Sequence, residues 1–265
     1  MKGLKKAIVA MGLLTVVHVW AEEPTLTNTA VEMQTTDGAI TKADDTAAPA
    51  WEVIGTDDGI VTEKREWDDS PVVEFRGSTI INSRLSKIVS VLSDTSRKLE
   101  WVDRAKEAKD LEVISKLERV EYNHSTAPWP VKDRDFVFKA SATPDLARRT
   151  LLVTLKSVDH TAMPEQDCCV RGEITNSSYK LEALEDGSKT RVTVQILADP
   201  KGSVPKWIVN LIQKSWPRKT LQRLAAQAAK TDVVEHAYYR QLFEQSQQET
   251  AHGASAVAPG TTSAL

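Results

Sequence analysis

Alternation of apolar and polar residues dominates the middle of the chain and predicts a fold built mainly of β-strands. Apolar side chains recur at every second position, as expected of strands that bury one face. The first two strands flank a turn at residues 55–59, which is typical of a β-hairpin. The predicted strands cover residues 51–54, 60–67, 72–81, 111–117, 119–123, 135–141, 151–158, 170–174, 179–184 and 190–197.

Two segments have helical periodicity instead. A short helix is predicted through Leu85 and Leu92, and a long one over residues 204–230, with an extension over 232–245. Pro217 lies inside the long helix and predicts a kink or a break. Many strands followed by a long C-terminal helix favour an α+β fold, in which a curved antiparallel sheet wraps around that helix.

The two ends of the chain differ from this middle part. Lysines precede an uncharged apolar run that ends at Val19-Trp20-Ala21, a pattern typical of a secretory signal peptide, with a transmembrane anchor as the alternative. We therefore expect an exported protein, periplasmic or secreted, that is soluble after cleavage. The predicted organisation is a signal peptide over 1–21, a disordered linker over 22–50, one domain over 51–248 and a disordered tail over 249–265.

Composition and motifs exclude several functions. The 265 residues are 41% hydrophobic and carry a formal net charge of -3, so no basic excess indicates nucleic-acid binding. The chain has no HExxH, no G-x-S-x-G and no Cys/His spacing suited to zinc. We therefore expect no catalytic residues, no cofactor and no metal site.

Four motifs occur in the order found in one known family. They lie at residues 128–137, 163–166, 170–173 and 199–210, and the last reads Asp-Pro-Lys-Gly-Ser-Val-Pro-Lys-Trp-Ile-Val-Asn. Together they resemble the START family of lipid-transfer domains, over residues 51 to about 229. The resemblance implies a helix-grip fold that encloses an apolar tunnel for a single lipid. It also implies a monomeric carrier that meets membrane surfaces transiently.

Strand parity selects the residues that would line such a tunnel, because alternate side chains share a face. A solid core would use the same residues, and only the resemblance favours a cavity. Two alternatives therefore stay open: a non-ligand interaction protein with a filled core, and a cyclase or aromatase-like enzyme of the same superfamily. The predicted lining is Phe136, Phe138, Ala140, Leu151, Val153, Leu155, Val192, Val194 and Ile196 from the strands, with Val209, Ile212, Trp216 and Leu224 from the long helix.

The resemblance also implies a polar site and a gate. Some family members place an acid and an arginine in the tunnel. Glu121 matches the acid, but Ala140 stands where those members carry the arginine, so we expect an unpaired Glu121 that is solvated or has a raised pKa. The turn Gly202-Ser203-Val204-Pro205 before the long helix is a candidate hinge or gate, and equally a turn needed only for folding.

Two weaker signals concern the cysteines and the long helix. Cys168 and Cys169 are adjacent, and neighbouring side chains of a strand point to opposite faces, so we favour two free or buried thiols over a disulfide. The basic residues between Lys214 and Arg223 are interpreted as a solvated helix face, with a surface for anionic membranes as the alternative.

Overall fold

The computed structural model describes residues 48–67, 73–127, 129, 131–184, 187–204 and 206–245, without the side chains of 206–208 and 210–212. The predicted signal peptide and tail, most of the predicted linker, Pro205 and the side chain of Ile212 lie outside the described residues. Within these ranges, no helix is both long enough and apolar enough to cross a membrane.

The described residues form strands and helices in the order that the sequence predicts. A single 3-10 turn, Thr95–Arg97, separates the first two helices. The strands are β1 Glu52–Asp57, β2 Ile60–Arg65, β3 Glu74–Ile81, β4 Ala105–Val113, β5 Glu118–Ser125, β6 Asp133–Asp145, β7 Thr150–Ser157, β8 Cys169–Arg171, β9 Glu173–Ile174, β10 Ser177–Leu184, β11 Lys189–Ile196 and β12 Ala198–Asp199. The helices are α1 Leu85–Ser93, α2 Lys98–Trp101, α3 Lys206–Ala228 and α4 at residues 237–245.

Several strands differ from the prediction. β4 covers Ala105–Val113 rather than residues 111–117, because its first half carries no apolar stripe. β6 extends beyond the predicted 135–141 at both ends, and β12 was not predicted. The strand predicted over 170–174 divides into β8 and β9 at Gly172. A Cβ atom at Gly172 would lie 2.2 Å from Phe136 Cε1, so the chain passes this aromatic ring too closely for any other residue.

The long strands form one antiparallel sheet in the order β1-β2-β3-β11-β10-β7-β6-β5-β4. β8 pairs parallel with β6, and β12 and β9 form a separate two-stranded sheet. α3 lies mainly against β3, with β2 and β11 alongside. The predicted α+β class, with a large antiparallel sheet and C-terminal helices, is confirmed.

The contact between α3 and β3 depends on a glycine and a proline. A Cβ atom at Gly77 would lie 2.8 Å from the Cβ of Pro217 and 3.2 Å from Cδ1 of Leu221. α3 continues through Pro217, so the break expected as one outcome of the sequence pattern does not occur. The absent side chain at residue 77 lets the helix lie directly on the strand.

The main core lies between the sheet and the helices. It combines the alternate apolar side chains of β6, β7, β10 and β11 with those of α1 and α3. A small second cluster, formed by Val120, Tyr122 and Val137, lies on the opposite face of β5 and β6. We call the face of the sheet toward α3 the inner face and the other the outer face.

Candidate functional site

Charged and polar side chains lie on the inner face of β5, among the apolar residues of the core. Arg119 and Glu121 are fully buried, and Asn123 is 5% exposed. In the antiparallel register these three residues lie opposite Ala140, Phe138 and Phe136 of β6, respectively. The apolar partners on β6 therefore remove the polar groups of β5 from solvent.

Lys98 of α2 completes this group, which we call the inner polar cluster: Lys98, Arg119, Glu121, Asn123 and Tyr179. The ammonium of Lys98 donates a short hydrogen bond to Oε2 of Glu121. The Nε atom of Arg119 lies 3.4 Å from Oε1 of the same carboxylate. Lys98 is 1% exposed, so the ion pairs within the cluster form away from bulk water.

The rest of the Arg119 guanidinium is fixed by the segment between α1 and β4. Its Nη1 atom donates to Oγ1 of Thr95 at 3.1 Å and makes a short contact with the carboxylate of Asp110. Its Nη2 atom donates to the carbonyl of Ser93 at 3.2 Å. These bonds leave Nε of Arg119 directed toward Glu121.

Burial dominates the electrostatics of the cluster. Loss of solvation raises the pKa of Glu121 and lowers the pKa of Lys98, since each charged form is poorly solvated there. The opposite charges of Lys98 and Glu121 resist both shifts. Burial, followed by the negative charge of Glu121, raises the pKa of Tyr179 far above its usual range, so this phenol stays a neutral hydrogen-bond donor.

Several polar atoms of the cluster have no hydrogen-bond partner among the described residues. They are both amide atoms of Asn123 and the hydroxyl of Tyr179, together with Nε of Arg119 and Oε1 of Glu121, which face each other as an ion pair at 3.4 Å. Tyr179 is fully buried on β10, opposite Val153 and Val194. Buried polar groups in native proteins are nearly always hydrogen-bonded, so this concentration of polar atoms without hydrogen bonds makes the cluster the candidate site.

The predicted tunnel lining lies where strand parity placed it. Phe136, Phe138 and Ala140 share the inner face with Glu121, and every predicted lining residue whose side chain is described is buried. Contact with a ligand stays a prediction for each of them. Buried on β7 are Leu151, Val153 and Leu155, on β11 Val192, Val194 and Ile196, and on α3 Val209, Trp216 and Leu224.

The turn predicted as a gate lies between β12 and α3. Gly202 has a φ of 70°, a conformation that favours glycine, while Ser203 is exposed and Val204 half-buried. The guanidinium of Arg134 donates to the carbonyls of Pro200 at 3.2 Å and Lys201 at 3.1 Å. Arg134 therefore holds this turn against β6, and its gating role stays a prediction.

A comparison with known protein families identifies the family of this chain. A family model described as START domain matches residues 47–228. The chain belongs to the START domain family. Its fold agrees with a crystal structure of a STAR-related lipid transfer protein from Xanthomonas axonopodis, with a TM-score of 0.61 and 26% identity, covering 68% of this chain and 99% of that one.

Related START sequences occur in bacteria and vertebrates. An uncharacterized protein of Pseudomonas aeruginosa is 28% identical over 69% of this chain and 89% of its own length. The steroidogenic acute regulatory protein of Gallus gallus is 30% identical over 58% of this chain and 57% of its own length. The match therefore covers little more than half of this vertebrate relative.

The inner polar cluster departs from the pattern expected of this START domain. Glu121 was expected to be unpaired because Ala140 replaces an arginine, and that expectation is wrong. Arg119 lies opposite Ala140 and supplies a guanidinium from the neighbouring strand, while Lys98 supplies a second cation. The raised pKa expected for Glu121 agrees in direction, with burial as its cause.

Sequence reasoning missed Lys98, Arg119, Asn123 and Tyr179. In β5, charged and polar residues alternate with Val120, Tyr122 and His124, and hydrophobicity alone would turn the apolar set inward. The reverse occurs because Val120 and Tyr122 pack into the small cluster on the outer face. The available signal was Glu121 itself: once it is placed inside, parity places Arg119 and Asn123 inside as well.

The preference for free thiols is also wrong: Cys168 and Cys169 form a disulfide. The argument from parity assumed that both residues lie in a strand. Cys168 instead lies in the turn that precedes β8, where successive side chains need not point to opposite faces. Ligand atoms of His124, Cys168 and Cys169 lie within 4.8 Å of one another, a grouping that spacing in the sequence did not reveal.

The basic residues of α3 are largely paired with acids. Arg218 contacts the carboxylate of Asp57. Arg223 and Lys219 lie 2.8 Å and 3.6 Å, respectively, from Asp103. This pairing favours a solvated helix face over a cationic membrane surface.

Proposed function

We propose that this START domain binds a single lipid or another apolar molecule between the sheet and α3 and carries it between membranes or sites outside the cytoplasm. The apolar part of the molecule would contact the predicted lining residues, and its polar end would contact the inner polar cluster. Family membership supports lipid binding, as do relatives whose names describe lipid transfer. The expectation of export is supported by the signal-peptide pattern of residues 1–21.

The observation that carries the proposal is the unpaired polar surface of the inner polar cluster. A filled core gains nothing from an unbonded phenol and an unbonded amide, because each buried polar group without a partner is destabilising by about 1–3 kcal/mol. A ligand hydroxyl, ester or headgroup oxygen would supply the missing hydrogen bonds. Its hydrocarbon part would add about 0.8 kcal/mol for each buried methylene.

Native mass spectrometry combined with organic extraction tests whether a ligand is bound. Protein that starts at Glu22 and is purified from a membrane-rich host should carry one apolar molecule per chain, and it should move labelled lipid between donor and acceptor vesicles. Protein that stays ligand-free after incubation with mixed lipids would contradict the proposal and favour a filled core. Conversion of the bound molecule to a product would instead support an enzyme.

A matched pair of tyrosine variants tests where the polar end binds. Tyr179→Phe removes the buried hydroxyl from the inner polar cluster, and Tyr122→Phe makes the same change on the outer face of β5. We expect Tyr179→Phe to weaken lipid binding by roughly tenfold, the effect of one lost hydrogen bond of about 1.5 kcal/mol, with no loss of stability. Tyr122→Phe should bind lipid like the wild type, and equal binding by both variants would contradict the placement of the polar end.

A further inference from the structure

A second group of reactive side chains lies on the outer face of the sheet, away from the inner polar cluster. It consists of the Cys168–Cys169 disulfide and the imidazole of His124. His124 Nε2 lies 3.4 Å from the Sγ atom of Cys169. Because His124 follows Val120 and Tyr122 at alternate positions of β5, it points away from Arg119 and Glu121.

The imidazole of His124 is held in place by Asp133 of β6. Its Nε2 atom lies 2.9 Å from Oδ2 of Asp133. Asp133 is fixed in turn by the amide of Ala127 at 2.9 Å and the ammonium of Lys106 at 3.2 Å. Burial alone would raise the pKa of Asp133, but these hydrogen bonds hold it below its usual range.

The two sulfur atoms have different environments. Cys168 is exposed in the turn before β8, whereas Cys169 is 8% exposed and lies beside His124. In thiol–disulfide exchange the attacked sulfur must be accessible, and the leaving sulfur departs more readily when its negative charge is stabilised. The exposed atom is thus suited to be attacked, and the atom beside the imidazole is suited to leave.

A surface cleft adjoins the disulfide. It has a volume of about 650 Å³, and Cys169, Arg171, Gly172 and Lys201 contribute to its walls. This volume falls within the range of small-molecule sites, roughly 300–1,000 Å³. A thiol of low molecular weight fits within this volume, next to the disulfide.

We propose that Cys168 and Cys169 form a redox-active site that exchanges with low-molecular-weight thiols. A thiolate attacks Sγ of Cys168, the Cys168–Cys169 bond breaks, and the Sγ atom of Cys169 leaves as a thiolate beside the imidazole of His124 and is then protonated from water. A second thiolate then attacks the external sulfur of the mixed disulfide and releases Cys168 as a thiolate, which is protonated from water. Two electrons pass from two thiols to the protein, and one external disulfide forms.

Titration with glutathione tests the site on the full mature chain. The native protein should gain two thiols, counted by alkylation and mass spectrometry, as the ratio of reduced to oxidised glutathione rises. His124→Gln should slow reduction about tenfold, because the leaving thiolate loses the imidazole beside it. His160→Gln is the matched control, since His160 lies on the surface near Glu112, and it should react at the wild-type rate.

Single cysteine variants test which sulfur is attacked. Cys169→Ser should form a mixed disulfide at Cys168 with oxidised glutathione, releasing one reduced glutathione, within the time of wild-type reduction, and Cys168→Ser should react much more slowly at the buried Cys169. A disulfide that stays intact until the protein unfolds would overturn the proposal and leave a structural bond. Equal reduction rates for the wild type and His124→Gln would overturn the assigned role of His124. If the purified protein instead has two free thiols and a bound metal ion, the cysteines form a metal site and not a redox site.

Discussion

Arg119 of β5 lies opposite Ala140 of β6. Together these two residues determine which strand supplies the buried positive charge beside Glu121. Ala140 is fully buried and adds no charge, so the guanidinium beside Glu121 comes from the adjacent strand. Lys98 reaches the same carboxylate from α2. Two cations from different elements thus surround one buried acid.

The pairing of Lys98 with Glu121 predicts strong energetic coupling. Lys98→Met leaves the carboxylate buried without its ammonium partner and should lower the free energy of unfolding by about 3–5 kcal/mol, measured by urea denaturation. Lys98→Met combined with Glu121→Leu should recover part of that loss. Purely additive effects of the two changes would show that the side chains do not interact.

An exposed pair provides the control. Lys139 and Glu118 lie 2.8 Å apart, with side chains 40% and 35% exposed. Because solvent screens such a pair, Lys139→Met should change the free energy of unfolding by about 1 kcal/mol or less. A loss as large as that of Lys98→Met would mean that burial does not set the effect.

The candidate site could be predicted from the sequence only where one strand determines it. Phe136, Phe138 and Ala140 follow from alternation within β6, and their common face is confirmed. Lys98 could not be found in this way, because its place beside Glu121, 23 residues away along the chain, depends on how α2 packs on β4 and α3. The disulfide was missed because β8 begins at Cys169, and pattern alone does not locate a strand end to one residue.

At the scale of elements, α3 lies directly on β3 at Gly77. Gly77→Ala would place a methyl group 2.8 Å from the Cβ of Pro217, so the helix or the strand must shift. We expect a loss of about 1–3 kcal/mol in the free energy of unfolding, as for other overpacked sites. Gly55→Ala on β1 is the control, because a Cβ there meets nothing within 4 Å. Equal losses of stability for Gly77→Ala and Gly55→Ala would show that the contact between β3 and α3 does not restrict the size of residue 77.

The turn between β12 and α3 gives a second prediction at this scale. Arg134 bonds the carbonyls of Lys132, Pro200 and Lys201, so Arg134→Met should loosen the turn. If the turn is a gate, bound fluorescent lipid should exchange several-fold faster, measured by transfer to acceptor vesicles. Arg148→Met is the control, since the exposed Arg148 bonds only locally to Asp145. Unchanged exchange in a folded Arg134→Met protein would contradict the gate.

The order of the main strands and helices could be predicted because it depends on local periodicity. The residues of β6 that share the inner face could be predicted for the same reason. Strands with one apolar face, such as β7 and β11, were predicted to within one residue at either end. β4 was predicted too short because its first residues bury little on either face. Periodicity measures burial, so it fails where a strand buries few apolar side chains and is held by backbone and polar contacts instead.

At the scale of the whole molecule, the proposed export agrees with the presence of the Cys168–Cys169 disulfide. A disulfide persists in the oxidising environment outside the cytoplasm, whereas cytosolic thiols stay reduced. We expect the full chain, expressed in a bacterial host, to be recovered from the periplasm with Glu22 as its first residue. Intact mass and N-terminal sequencing measure this directly. Recovery in the membrane fraction with residues 1–21 retained would instead support an anchor.

A ligand enclosed between the sheet and α3 should also govern the stability of the whole domain. A molecule that binds only the folded state stabilises it by about 2.7 kcal/mol at a free concentration of 100 times its Kd. For a domain of this size that corresponds to a rise in Tm of roughly 5–10 °C. Protein extracted with organic solvent and refolded should therefore unfold at a lower temperature than the untreated protein, and its Tm, measured by circular dichroism, should rise with added lipid.

The two tyrosine variants test whether this rise depends on the inner polar cluster. Tyr179→Phe should require more lipid than the wild type for the same rise in Tm, while Tyr122→Phe should behave like the wild type. A Tm that is the same before and after extraction, and independent of added lipid, would mean that the interior is filled by side chains alone.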